Sequence, residues 1–299
     1  MKRIAGIAAA LVVLAAATAQ AQTAAPDARN KPVAPFKIIG DLYYVGTEGL
    51  SSFLVKSPQG NALIDTGLAD TAPLIEDSIT RLGVKLSDIK YILISRAAPE
   101  SAGGLARLRK DTGAQVLAGA ADKPAIEAGF AGVAAVKVDR AVADNDTLNL
   151  VDAKVTKGGV LFVAHAMPGP TPGCTSWTLP IRDQKWNHTA MFFCGVFAGG
   201  SRLVGKDARP GIVDDYQKTL TTAHYLIADI FLGPHPDMFR MKDKLALVHD
   251  GWANPFIKAG EFHAYLDAAQ KEFNAELVRQ QQALSAEAAA TTATTDAKK

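Results

Sequence analysis

The sequence predicts an α+β molecule, an αββα sandwich in which two mixed β-sheets pack face to face with helices on the outer faces. Three observations carry that expectation. The chain opens with a run of short strand patterns, the next stretch alternates strands with helices, and the second half repeats the same grammar. Two β-then-βα halves in one chain require two sheets, each burying one face against the other.

In chain order, FKIIGDLYYVG (36–46) reads as a hairpin turning at Gly40 and Asp41. SSFLVKS (51–57) and NALIDTG (61–67) read as strands separated by the turn Pro58, Gln59, Gly60. From Thr71 the spacing becomes helical, with Leu74, Ile75, Ile79 and Leu82 on one face and Gly83 as the stop. YILIS (91–95) follows as a strand apolar on both faces, then a helix from about Glu100, a strand AQVLA (114–118), a helix from Asp122 and a strand VKVD (136–139). GGVLFVAHAMPG (158–169), CTSWTLPI (174–181) and TAMFFCGVF (189–197) are strands, and GIVDDYQKTLTTAHYLIA (211–228) is a helix. IADIFLGPH (227–235) is a last strand that ends in a His-Pro turn. An amphipathic helix over about 259–282 gives way to a tail, 284–299, with too little apolar content to fold.

Composition narrows the function classes. With 48% apolar and 21% charged side chains the chain has material for one large core or two small ones. The net charge of +2 arises from 32 basic and 30 acidic residues without a basic block, so there is no electrostatic footprint for nucleic acid. The partners expected are a small molecule or a protein. Lys2 and Arg3 precede a short apolar run that ends in Ala19, Gln20, Ala21, the pattern of a signal peptide cleaved near Ala21. The reading is therefore a signal peptide over 1–21, a linker over 22–34 and one domain over 35–283, placed in the periplasm or secreted, with no membrane span. Export puts Cys174 and Cys194, the only cysteines, in an oxidising compartment. They can bridge two strands or remain buried free thiols, and spacing does not choose between these.

Turns at the carboxyl ends of buried strands commonly carry an enzyme's reactive groups. The turn after YILIS reads RAAPES (96–101), with neither histidine nor cysteine.

PFKIIGDLYYVGTEGLSSFLVKSPQGNALIDTGL, GVKLSDIKYILIS, SAGGLARLRKDTGAQVLA, MPGPTPGCTSWTL, RPGIVDDYQKTL and NPFIKAGEFHAYLDAAQKEFNAEL occur in this order and together resemble the metallo-β-lactamase superfamily, in particular the third subclass of the zinc β-lactamases. That resemblance implies the αββα fold and a cleft with two zinc ions along the edge where the sheets meet. Zinc there would lower the pKa of bound water from about 15.7 to about 7 and so supply hydroxide to attack an amide. It also implies ligands from a His-x-His-x-Asp-His turn after the YILIS strand, from a PGHTPG loop and from the last His-Pro turn.

Position by position, this chain departs from that pattern. Arg96 stands at the first histidine, Ala98 at the second, Glu100 at the aspartate, Ser101 at the last histidine of the turn, and Pro170 at the loop histidine; only His235 remains. Structural zinc is worth about 10–16 kcal/mol when four ligands share it, and Glu100 with His235 offers two. No zinc or other cofactor is therefore expected. The hydroxyl residues that hold the substrate carboxylate in the family correspond to Gly195 and Phe197, which donate nothing from their side chains.

Asp65 matches the aspartate that orients a zinc-binding histidine in the family, and without metal its charge needs another partner. Arg96 is expected to reach Asp65, Glu100 or both; the alternative is a solvated Arg96–Glu100 loop pair. Ser101 could be a nucleophile with His165 or His235 as base and Arg96 at an oxyanion, or a helix-capping serine. His165 fits a pocket wall. His188, His224, His249 and His263 fit structural or exposed roles, and Trp177, Tyr43 and Tyr44 fit core packing.

The function expected is that of an impaired or inactive homologue of the zinc β-lactamases, a pseudoenzyme that binds a small molecule or a partner in the old cleft. The alternatives are a hydrolase with a metal-free or atypical metal site built from Glu100, Ser101, His165 and His235, and residual β-lactamase activity.

Overall fold

The structure, a computed structural model, describes residues 28–150, 160–182, 186–196, 200–249 and 252–296. The expected signal peptide and Phe197 lie outside the described residues.

Seven strands form the first sheet in sequence order: β1 (Phe36–Ile39), β2 (Leu42–Tyr44), β3 (Phe53–Val55), β4 (Asn61–Ile64), β5 (Ile89–Ile94), β6 (Gln115–Gly119) and β7 (Arg140–Val142). Pairing is antiparallel from β1 to β4 and parallel from β4 to β7. The second sheet contains β8 (Thr147–Leu150), β9 (Val160–Ala166), β10 (Thr175–Arg182), β11 (Asn187–Phe192) and β12 (Ile230–Leu232), with spatial order β12-β11-β10-β9-β8. Only the β11–β12 pair is parallel there, so both sheets are mixed, as expected. The helices are α1 (Ala72–Arg81), α2 (Pro99–Ala102), α3 (Leu105–Thr112), α4 (Lys123–Ala128), α5 (Ile212–Ala223), α6 (Met241–Ala246) and α7 (Glu261–Asp296).

The period of two along each strand assigns the side chains to two apolar layers. Leu93 of β5 faces the inter-sheet core with Ile64, Leu117, Phe162, Trp177 and Phe192. Its neighbours Ile92 and Ile94 face the other way, onto Ile75 and Ile79 of α1, Leu105 and Leu108 of α3, and Ile126 of α4. This two-sided burial is why YILIS reads apolar throughout. Phe262, Leu266, Ala269 and Phe273 line one stripe of α7 and join the core around Phe193 and Phe231. Each such buried aliphatic or aromatic side chain contributes roughly 1.5–3 kcal/mol, so a one-residue slip in β5 would expose an entire face.

Four expectations need correction. The helix expected from Glu100 is two helices, α2 and α3, broken at Gly103 and Gly104. Gly104 passes so close to the 66–68 segment that a Cβ would lie 2.4 Å from the Thr66 carbonyl oxygen, and its N–H bonds the Gly67 carbonyl instead of a helical partner. VKVD is not a ladder strand; β7 begins at Arg140. Side chains take part of the pairing there: Asp139 N–H bonds the Val116 carbonyl, but Val138 N–H bonds the Glu127 carboxylate and Val116 N–H the Asp139 carboxylate. The helix expected to stop near Gln282 continues to Asp296, through most of the tail expected to be unfolded. Alanine, the commonest residue of that stretch, favours helix without any core to pack against, so apolar content alone does not decide it. Finally, the last part of the expected linker is tied to the domain: Arg29 and Lys31 carbonyls accept from Gly49 and Glu48 N–H, and Pro32 pairs with Thr47.

Candidate functional site

Segments that follow β5, β9, β11 and β12 meet at one edge of the sandwich and enclose a cavity of about 390 Å³. Arg96, Ala98 and Glu100 come from the first, Pro170 and Thr171 from the second, Gly195 and Val196 from the third, and Pro234 and His235 from the fourth. Tyr216 of α5, Tyr265 of α7, Ser201 and Met238 complete the wall. Thus six sequence-selected residues, Arg96, Ala98, Glu100, Pro170, Gly195 and His235, converge on one cavity although 139 positions separate the first from the last.

Arg96 is the centre of the site. It is only 9% exposed, and its Nη2 donates to Glu100 Oε1 at 2.8 Å while Nη1 donates to the Cys194 carbonyl at 3.3 Å. The Nε–H is buried without a partner. Gly195 makes this placement feasible: at φ +113° it lies against the guanidinium, and a Cβ there would stand 2.8 Å from Nη1. Arg96 is therefore buried while its partner Glu100 is partly exposed at the cavity, so the alternative of a fully solvated loop pair does not describe them.

Asp65 sits behind this pair and does not bond Arg96. Its Oδ1 accepts from Ser95 N–H at 2.8 Å and its Oδ2 from Ser95 Oγ–H at 2.6 Å. Burial raises its carboxyl from the ordinary 3.8 to about 6, opposed by the Ser95 bonds and by the positive charge of Arg96.

Ser101 is fully buried, and its Oγ lies 3.3 Å from Ser95 Oγ. Neither candidate base approaches it. His165 Nε2 pairs with Thr178 Oγ1 at 2.8 Å, and His235 Nδ1 with the Gly49 carbonyl at 3.3 Å. The nucleophile reading of Ser101 is corrected accordingly: the hydroxyl belongs to a buried serine pair beside Asp65, away from the cavity wall. Burial lowers the pKa of both histidines, and the charges of Arg96 and Arg29 further depress His235, so both rings are neutral at neutral pH. Burial raises the Tyr265 hydroxyl to about 12, which leaves it a neutral donor.

Two features hold the surrounding loops. Cys174 and Cys194 are disulfide-bonded with Cα atoms 5.8 Å apart, which decides between the bridge and the free thiols. The bond joins the loop after β9 to the segment after β11, the segment whose Cys194 carbonyl receives Arg96. Asp122 is the residue that sequence reasoning missed. It precedes α4 and reads as a helix start, yet its carboxylate makes no cap bond to that helix. Instead it accepts from Ala97 N–H at 2.7 Å, Thr171 Oγ1–H at 2.6 Å and Gly173 N–H at 2.7 Å, clamping the RAAPES turn to the PGPTPG loop. An aspartate before a helix carries no sequence signal for such long-range bonds.

Comparison with known proteins places this edge in context. A family model described as the metallo-beta-lactamase superfamily matches residues 45–183. BJP-1, a subclass B3 metallo-beta-lactamase of Bradyrhizobium japonicum, is 41% identical and superposes with a TM-score of 0.79, covering 86% of this chain and 98% of that one. The chain belongs to the metallo-beta-lactamase superfamily. A metallo-beta-lactamase of Cronobacter sakazakii described by a HARLDQ motif is 35% identical, with TM-score 0.76 and coverage of 85% and 98%. A class B3 di-zinc enzyme from an Alaskan soil metagenome is 29% identical, with TM-score 0.75 and coverage of 84% and 97%.

Zinc, which this superfamily implies, does not fit the residues this member places at the cleft. Arg96 is a cation, Ala98 and Pro170 have no donor atom, and Ser101 is sealed away. Glu100 is already engaged by the guanidinium. Among the described residues no three His, Cys, Asp or Glu side chains come together in a way that could hold a metal ion.

Proposed function

We propose that this superfamily member has given up zinc-dependent hydrolysis and keeps the cleft as a metal-free binding site for a small molecule. The observation that carries this reading is the ion pair of a buried Arg96 with Glu100 at two of the positions that correspond to zinc ligands. A guanidinium there supplies fixed positive charge without an open coordination position, so the pair cannot ionise a water molecule as a bound zinc ion does. The cavity volume falls within the roughly 300–1,000 Å³ that small-molecule sites occupy. His235 and Glu100, the two remaining donors, are engaged with Gly49 and Arg96.

The chain is read as exported, with a signal peptide over 1–21 and one domain over 35–283. The Cys174–Cys194 bond supports that reading because such bonds persist in oxidising compartments. Among the described residues no helix is long and apolar enough to cross a membrane.

The test is metal analysis of protein purified in zinc-containing buffer, paired with turnover of a chromogenic cephalosporin. The expected result is less than one zinc per chain and no zinc-dependent turnover. Two tightly held zinc ions per chain, or hydrolysis abolished by a chelator, would overturn the reading.

A further inference from the structure

The chemistry of the cavity wall constrains what it would hold, given the metal-free reading of the cleft. A guanidinium carries five N–H donors. In Arg96 one Nη2 donor goes to Glu100 and one Nη1 donor to the Cys194 carbonyl, while Nε is sealed. One donor therefore remains on each Nη, on a residue that lines the cavity. The rest of the wall brings no other unpaired charge, since Arg209 at its margin is held by Asp215. Ala98, Pro170, Val196 and Met238 form its apolar part.

We infer that the cleft takes a small organic monocarboxylate, its carboxylate gripped by the two remaining Nη–H donors of Arg96 and its apolar body laid against Ala98, Pro170, Val196 and Met238. A single carboxylate matches the planar fork of one guanidinium. A dianion such as phosphate is disfavoured, because Glu100 already places one negative charge 2.8 Å from Nη2. Glu100 therefore has a second role as the ligand's competitor. It shares the same guanidinium, restrains affinity, and keeps Arg96 in place when the cleft is empty. Gly195 determines specificity through space alone, since any side chain there would displace Nη1.

The experiment uses the full chain with benzoate and its neutral isostere benzamide as probes, followed by calorimetry or ligand-observed NMR. Benzoate should bind about tenfold more tightly than benzamide, the ratio expected of a charge-assisted pair over a neutral one. Arg96→Gln should erase that preference. Glu100→Gln should raise the ratio of benzoate to benzamide affinity several-fold, an effect that a purely structural role for the pair would not produce. Equal affinity for the two probes in the wild-type chain would overturn the carboxylate assignment and leave the metal-free cleft standing, because zinc content decides that point separately. Loss of benzoate affinity in Glu100→Gln, or no binding of either probe, would also overturn it.

Discussion

At the scale of single residues two acids at this edge of the sandwich have opposite fates, Glu100 partly exposed in the cavity wall and Asp65 buried behind it. Glu100 is neutralised by a guanidinium, whereas Asp65 is held by a serine hydroxyl and a backbone N–H and carries its charge at a loss. The rise of its carboxyl from 3.8 to about 6 corresponds to about 3 kcal/mol of stability missing when it is ionised. The folded carboxyl binds its proton more tightly than the unfolded one, so this contribution is whole below pH 3.8 and is lost as pH rises through about 6. Asp65→Asn removes the desolvated charge and can still accept from Ser95 N–H while donating to Ser95 Oγ. The stability difference between this variant and the wild type, from urea unfolding, should therefore grow between pH 4 and pH 7 toward about 3 kcal/mol. A difference that stays flat with pH would show that Asp65 is not the group responsible. Little of this was legible in the sequence. That Asp65 ends a buried strand could be read from LIDTG, but its partner could not. In the sequence Arg96 is as plausible a partner as Ser95, and the left-handed backbone at Asp65, φ 57°, which accompanies the Ser95 bonds, leaves no signal there.

At the scale of elements, strands and helices that bury a periodic face were legible, and segments held by side-chain bonds were not. β4, β5, α1 and β10 follow the apolar spacing because the core enforces it. The 136–139 segment carries a strand-like pattern, yet Glu127 and Asp139 divert its hydrogen bonds. The same distinction separates the two staples of the cleft. A disulfide between Cys174 and Cys194 was one of two readings open to the sequence, whereas Asp122 leaves no trace because its three donors lie 25 to 51 positions away. Asp122→Ala should strand the buried Gly173 N–H, the half-buried Ala97 N–H and the Thr171 hydroxyl, at about 3 kcal/mol of stability. Its signature in hydrogen exchange should be selective. Amides of Ala97 and Gly173 should lose protection while β9 and β10 retain theirs, and a uniform loss across the sheets would indicate global destabilisation rather than release of a clamp.

At the scale of the whole molecule, the proposed independence of the sandwich from zinc can be measured. Metal that binds only the folded state adds RT ln(1 + [L]/Kd) to stability, about 2.7 kcal/mol at a hundredfold excess over Kd. The wild-type chain should therefore melt at the same temperature with zinc or with a chelator. Restoring the implied ligands, Arg96→His, Ala98→His, Glu100→Asp, Ser101→His and Pro170→His, should make melting zinc-dependent, with His235 already in place at the cavity. The substitutions will not be equally tolerated. Replacing Arg96 relieves the contact with Gly195, and positions 98 and 170 line open space. Ser101 is fully buried beside Ser95 and Asp65, so a histidine there overpacks the site by about 1–3 kcal/mol before any metal arrives. The restored chain should thus be less stable than wild type in chelator and recover at least that loss in zinc. A restored chain indifferent to zinc would mean that the backbone of the cleft, and not merely its side chains, has departed from the geometry the ligands require.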